Sequence, residues 1–132
     1  MAPIVKRYKK EYAHELLRIA KGDLDSAQAL LNANIGRVEN ILYIIQQGIE
    51  KSLKAVLCFH QVPVIHTHDL DALLSDLPEG VQPPHDSLLS SFNQYATIRR
   101  YEEGSEELSM DDLKKAFQIG VDVYAWALKI TQ

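Results

Sequence analysis

A long helix-forming segment in the first half of the chain constrains the fold more than any other feature. It runs from about Arg37 to Gln61 and repeats apolar residues with a 3.6-residue period. The apolar residues on or beside this face are Ile41, Leu42, Ile45, Ile49, Leu53, Val56 and Leu57. Val62 and Pro63 cannot continue the helix. A stripe of this kind must be buried, so the sequence predicts a helical protein arranged around this segment.

The opposite side of the same helix is polar. Tyr43, Gln47, Glu50, Lys51 and Lys54 are spaced to form one continuous strip of acceptors, an acid and two ammonium groups. One interpretation is a solvated helix face with favourable acid–base pairs. The other is a surface that receives a phosphate, and the spacing alone leaves both open.

The remaining segments predict further helices. A first helix is expected over Lys6–Leu31, followed by a turn at Asn32–Gly36. A short helix is expected from His68, another from Pro84, and a last one after a capping signal at Ser109. We expect a single all-α domain spanning the 132 residues, an antiparallel up-and-down bundle of four long helices plus one short helix.

The last helix has more apolar surface than one face can bury. The stripe predicted for it consists of Leu113, Phe117, Gly120, Val121, Tyr124 and Leu128. Val123, Trp126 and Ile130 fall off that stripe. A second copy of the chain would cover the surplus, so the sequence predicts a homodimer.

Composition limits the possible classes of function. A net charge of -4 and a pI near 5.7 argue against general nucleic-acid binding, which relies on a basic surface. Cys58 is the only cysteine, so no intrachain disulfide forms, as is typical of a reducing cytoplasm. No run of residues approaches the roughly 20 apolar positions of a membrane span. We therefore expect a cytoplasmic protein without a membrane partner.

Three segments together resemble the HEPN domains, small prokaryotic helical domains named for nucleotide binding. The segment Gln46–Leu74 is similar to the core signature of the family, and it consists of QQGIEKSLKAVL, a short loop and THDLDALL. Asp23 and Leu24, with Ala27 and Leu31, are similar to its first helix. YATIRRY, at Tyr95–Tyr101, is similar to its arginine–tyrosine motif. The resemblance implies a fold like the carboxy-terminal domain of antibiotic nucleotidyltransferases.

The resemblance also implies a function: a nucleotide-binding accessory subunit that pairs with a separately encoded minimal nucleotidyltransferase. It implies that phosphates are held by Lys51, Lys54, Arg99, Arg100 and Tyr101. It further implies that the site is oriented by Gln47, Glu50, His68, Asp69 and Tyr95. The chain departs from the family at Glu102, where a proline is usual, and this adds negative charge close to the expected phosphate.

Two other interpretations remain open. The chain can be a non-catalytic dimeric scaffold or a toxin–antitoxin component. A structure in which Lys54 and Arg100 are fully paired to internal carboxylates would favour this interpretation. A HEPN-type ribonuclease is disfavoured because no histidine follows Arg100. His60, His66 and His68 lack a recognised metal-ligand spacing, so we expect neither a metal nor a cofactor, and no catalysis by this chain alone.

Overall fold

The computed structural model describes the backbone of residues 5–6 and all of residues 8–92 and 109–132, and it is mostly helical. The described helices are α1 (Tyr12–Ala33), α2 (Val38–Phe59), α3 (Leu70–Ser75), α4 (residues 86–92) and α5 (Met110–Thr131). The all-α class predicted from the sequence is confirmed. Within the described residues, no helix combines the length and the apolar character needed to cross a membrane.

The amino-terminal segment differs from the prediction. Helix α1 begins at Tyr12 rather than near Lys6, because residues before it take part in a two-stranded ladder. Strand β1 (Val5–Lys6) pairs antiparallel with β2 (Val64–Ile65), with Val5 opposite Ile65. The sequence predicted no strand, since a ladder this short has no periodic pattern to reveal it.

The helix ends follow local chemistry. Helix α1 ends at Ala33 and is capped by Asn34, whose φ of 54° lies in the left-handed region that asparagine tolerates. Helix α3 begins slightly later than predicted, since Asp69 is the N-cap and its carboxylate accepts from the amide of Asp71. The predicted cap of α5 is confirmed: Ser109 and Asp112 form a reciprocal capping box.

Helix α2 lies at the centre of the protein and contacts α1, α3 and α5. Its predicted apolar face is confirmed, because every residue of that face is buried. The thiol of Cys58 donates to the carbonyl of Lys9 over 3.0 Å, which places the start of α1 beside the end of α2. Helix α1 therefore runs opposite to α2.

Helix α5 runs in the same direction as α2. Near its start, Leu113 lines a small cleft with Leu42 of α2, and near its end Ala127 belongs to the same apolar cluster as Val56. Leu24 of α1 approaches both helices closely at Gly48 and Gly120. The absence of a side chain at these two glycines lets the three helices meet.

The buried face of α5 agrees only in part with the prediction. The residues it buries are Leu113, Ala116, Gly120, Val123, Ala127 and Thr131. Leu113 and Gly120 of the predicted stripe are buried, and Phe117 and Tyr124 pack against the apolar core. The prediction was wrong for Leu128, which is exposed, and for Val123, which is part of the core. Trp126 and Ile130 are half-buried against the apolar core. The surplus apolar surface is therefore smaller than the sequence indicated, and homodimerisation stays a prediction.

Candidate functional site

A buried carboxylate lies at the centre of the polar strip of α2. The side chain of Glu50 has 0% exposure, although the helical pattern placed it on the solvated side. Its Oε2 atom is 3.1 Å from Nζ of Lys51 and 3.0 Å from Nζ of Lys54. Its Oε1 atom is 2.8 Å from Nδ1 of His68. We call Glu50, Lys51, Lys54 and His68 the ion cluster.

The loop before α3 brings His68 to the cluster. Pairing of β1 with β2 fixes the chain at Val64–Ile65, and the hydroxyl of Thr67 accepts from the amide of Asp69 over 3.0 Å. The side-chain amide of Gln46 donates to the carbonyl of His68 over 3.4 Å. The imidazole itself remains 71% exposed, so one ring edge binds Glu50 while the rest meets solvent.

The two lysines retain hydrogen-bonding capacity. An ammonium group has three N–H donors. Lys54 directs one of them to Glu50, and Lys51 directs one to Glu50 and one to Oε1 of Gln47, 3.4 Å away. The side chains of Lys51 and Lys54 are 23% and 14% exposed. An anion approaching from solvent therefore meets donors that Glu50 does not use.

The cluster stabilises the ionised form of Glu50. Burial by itself raises the pKa of this carboxyl, since a charge is poorly solvated in the protein interior. The hydrogen bond to His68 and the charges of Lys54 and Lys51 together outweigh burial, and they hold the pKa of Glu50 below its ordinary value. Glu50 is thus a buried anion with three partners.

Asp23 of α1 lies close enough to the ion cluster to interact electrostatically with Lys51 and Glu50, which the sequence did not predict. Burial and the negative charge of Glu50 raise its pKa, and the ammonium of Lys51 only partly counters them. Asp23 has no hydrogen-bond partner within the described residues. No spacing rule could have placed it there, because it comes from another helix.

Two buried side-chain amide atoms beside the cluster lack partners in the described part of the chain. They are Oε1 of Gln46, a residue only 3% exposed, and Nε2 of Gln47. Buried polar atoms are normally hydrogen-bonded, and an unpaired one costs about 1–3 kcal/mol. One acceptor and one donor therefore remain open to a further group at this edge of the cluster.

The structure brings together only some of the predicted site residues. Gln47, Glu50, Lys51, Lys54 and His68 converge, whereas Asp69 is exposed and caps α3. Tyr95, Arg99, Arg100, Tyr101 and Glu102 lie outside the described residues. Over the residues that the structure describes, no three histidine, cysteine or carboxylate side chains converge as metal ligands.

The fold and the site together define a small helical domain with a charged cluster on its central helix. The chain belongs to the HEPN domain family, whose model matches residues 13–130. A solved structure, the crystal structure of TT1696 from Thermus thermophilus, has the same fold with a TM-score of 0.75 at 23% identity, covering 90% of this chain and 98% of that one. A comparison with curated proteins found no match.

Proposed function

We propose that this protein is a nucleotide-binding accessory subunit, with the phosphates of the nucleotide held at the ion cluster. The observation that carries the proposal is the pair of ammonium groups held side by side by buried Glu50. Their positions are fixed before a ligand arrives, so binding does not incur the full entropic cost of ordering two long side chains. His68, exposed beside them, offers a further polar contact.

The charge balance indicates that the cluster needs further cations. Lys51 and Lys54 carry two positive charges, of which Glu50 neutralises one, and Asp23 lies nearby. In our proposal Arg99 and Arg100 supply the missing charge, because a guanidinium grips two phosphate oxygens at once. Tyr101 then offers a hydroxyl or a ring on which a base stacks.

A separately encoded minimal nucleotidyltransferase is the proposed partner. In this proposal the partner carries the metal-binding carboxylates, and the present chain supplies the helical half of the site. We further propose that the complete chain is an antiparallel bundle of four long helices and one short helix, similar to the carboxy-terminal domain of antibiotic nucleotidyltransferases. The proposal is consistent with membership of the HEPN family.

Calorimetric titration with adenine and guanine nucleotides tests this function. We expect saturable binding by the wild type, alone or with the partner, which weakens as salt is added. The Lys54→Ala/Arg100→Ala double variant should lose it. A Lys114→Ala/Lys115→Ala variant is the matched control, since both lysines are exposed near the start of α5. If the wild type gives no heat and no thermal stabilisation up to millimolar nucleotide, the proposal fails.

The same cluster also favours a second candidate, a dimeric scaffold or toxin–antitoxin component without a ligand. Lys51 and Lys54 both already have a carboxylate partner in Glu50, as a purely structural cluster requires. The scaffold proposal expects no nucleotide binding, and both proposals expect a homodimer. Sedimentation at tens of micromolar protein measures the dimer, and a clean monomer there would rule it out.

A further inference from the structure

A second polar surface lies at the start of α1 and the end of α2, away from the ion cluster. It consists of aromatic and basic side chains that the proposed nucleotide site does not use. Its members are Tyr8, Lys9, Lys10, Tyr12, Phe59 and His60. We call it the amino-terminal surface. Phe59 is nine residues beyond Glu50 on α2, which corresponds to about 13 Å along a helix.

The aromatic rings of this surface are ordered by contacts with one another. Tyr8 and Tyr12 stack in parallel, with centroids 4.7 Å apart and an interplanar angle of 6°. Tyr8 packs against the apolar core, whereas Tyr12 is 37% exposed. His60 meets the ring of Phe59 edge-on. One face of Tyr12 is covered by Tyr8, and the residue is exposed in the described part of the chain.

Cations are placed directly beside these rings. Nζ of Lys10 lies 4.3 Å from the centroid of Phe59, and Lys9 is exposed next to it in sequence. Residues 6–10 contain four of the chain's 14 lysines and arginines, although the whole chain carries a net charge of -4. Glu11 is the one acid between residues 6 and 12. The basic charge is therefore concentrated in a short segment.

The protein holds this segment in place from two sides. The carbonyl of Lys9 accepts from the buried thiol of Cys58, and β1 pairs with β2 just before it. These tertiary contacts fix the backbone at Lys6 and at Lys9. A ligand that binds here therefore meets a largely preorganised surface.

We propose that the amino-terminal surface binds single-stranded nucleic acid. Bases stack on the outer side of Tyr12, and the phosphates between them contact Lys9 and Lys10. Stacking rings interleaved with cations are what a single strand requires, because its bases are unpaired and its phosphates are evenly spaced. A duplex offers no free base face to Tyr12.

An anionic membrane fits the surface less well. Membrane-surface segments bury a face of large apolar residues. Among the described residues, this surface has one exposed large apolar side chain, that of Tyr12. The other exposed large apolar side chains in that part of the chain are Ile35, Leu88, Met110 and Leu128. The combination of phosphate-binding cations with one stacking ring therefore favours nucleic acid.

Fluorescence anisotropy with labelled oligo(U) and oligo(dT) of about 12 nucleotides tests the proposal. We expect saturable binding of the full-length protein to single strands, and at least fivefold weaker binding to a duplex of the same length. Tyr12→Ala should weaken single-strand binding about fivefold or more. Lys9→Gln/Lys10→Gln should also weaken it, and should reduce the slope of log Kd against log salt by about 1.4.

Lys114→Gln/Lys115→Gln is the matched control, because it removes the same charge from the other end of the molecule. It should bind as the wild type does. Thermal melting checks that each variant is folded. The proposal would be overturned if the two lysine double variants weakened binding equally, or if duplex bound as tightly as single strands. It would also be overturned if anisotropy did not change up to about 100 µM protein. Binding to phosphatidylserine vesicles without binding to oligonucleotides would overturn it too, and would indicate a membrane surface.

Discussion

Nδ1 of His68 lies 2.8 Å from Oε1 of Glu50, so a largely exposed imidazole is hydrogen-bonded to a fully buried carboxylate. The contact joins the loop before α3 to the centre of α2, 18 residues apart in the chain. Through Glu50, the ring also shares a carboxylate with Lys51 and Lys54. The order of the loop and the ionisation of the buried cluster therefore depend on each other.

Removing the charge of Glu50 should destabilise the protein. Glu50→Gln leaves Lys51 and Lys54 without their carboxylate, and we expect a loss of about 1–3 kcal/mol in the free energy of unfolding. Urea denaturation at neutral pH measures it. The control is Glu15→Gln, which removes an exposed pair with Arg18 and should leave the midpoint unchanged. Equal midpoints for Glu50→Gln and the wild type would show that the buried charge is not stabilised by its partners.

Stability should depend on pH through two carboxyl groups whose pKa values are shifted in opposite directions. The pKa of Glu50 is lowered, so its contribution is present above the ordinary glutamate pKa and is lost as pH falls through the folded value. The pKa of Asp23 is raised, so its contribution is present below the ordinary aspartate pKa and is lost as pH rises through the folded value.

The substitution Asp23→Asn isolates the second effect. Neutralising this residue should increase the free energy of unfolding at pH 7, where the ionised carboxylate is disfavoured by burial and by Glu50. The increase should shrink as pH falls toward the acid range. Urea melts of both proteins between neutral and acid pH measure the difference. A variant less stable than the wild type at pH 7 would contradict the raised pKa.

Two helix glycines should respond to alanine in opposite directions. Gly22 is exposed, and among the described residues nothing beyond the backbone of α1 itself lies within 4 Å of the position that a Cβ would take, so Gly22→Ala should stabilise by about 1 kcal/mol through helix propensity. A Cβ at Gly120 would lie 3.1 Å from Leu24 and 3.2 Å from Ile45, so Gly120→Ala should destabilise by about 1 kcal/mol or more. Denaturant midpoints of the two variants compare them directly. Stabilisation by both would mean that α5 is not packed this closely on α1 and α2.

We expect no ribonuclease activity from the chain alone. HEPN-type ribonucleases cleave RNA with an arginine that is followed a few residues later by a histidine. No histidine follows Arg100, so this pair is absent at the position of the arginine–tyrosine motif. Incubation of the purified protein with unstructured RNA, followed by gel analysis, tests this. The prediction is wrong if RNA is cut and His68→Ala abolishes the cutting, since the loop histidine would then act as the acid or base.

The sequence was most informative where periodicity decides the structure. The face of α2 through Ile45, Ile49 and Leu53 was predicted residue by residue, because a long 3.6-residue repeat leaves one choice of buried side. In α5 the apolar residues surround the helix near its end, so periodicity could not choose the face. The packing of Gly120 against Leu24 decides it instead, and it brings Val123 into the core.

The sequence predicted which side chains form the ion cluster, but it did not predict the burial of Glu50. Glu50, Lys51, Lys54 and His68 were identified together, yet the helical pattern placed Glu50 on a solvated side. Glu50 contacts His68 of the loop before α3, and a helical period contains no information about such a contact. The interaction of Asp23 on α1 with the cluster was not predicted for the same reason.

NMR of the histidine side chains can locate nucleotide binding on the protein itself. Long-range proton–nitrogen NMR of the histidine rings, during titration with ATP and then GTP, monitors His68. We predict that the His68 signals shift and saturate with one of these ligands, and that Lys54→Ala abolishes the shift. Saturable binding that leaves His68 unperturbed, or no shift at millimolar nucleotide with the partner present, would contradict a phosphate site at the ion cluster.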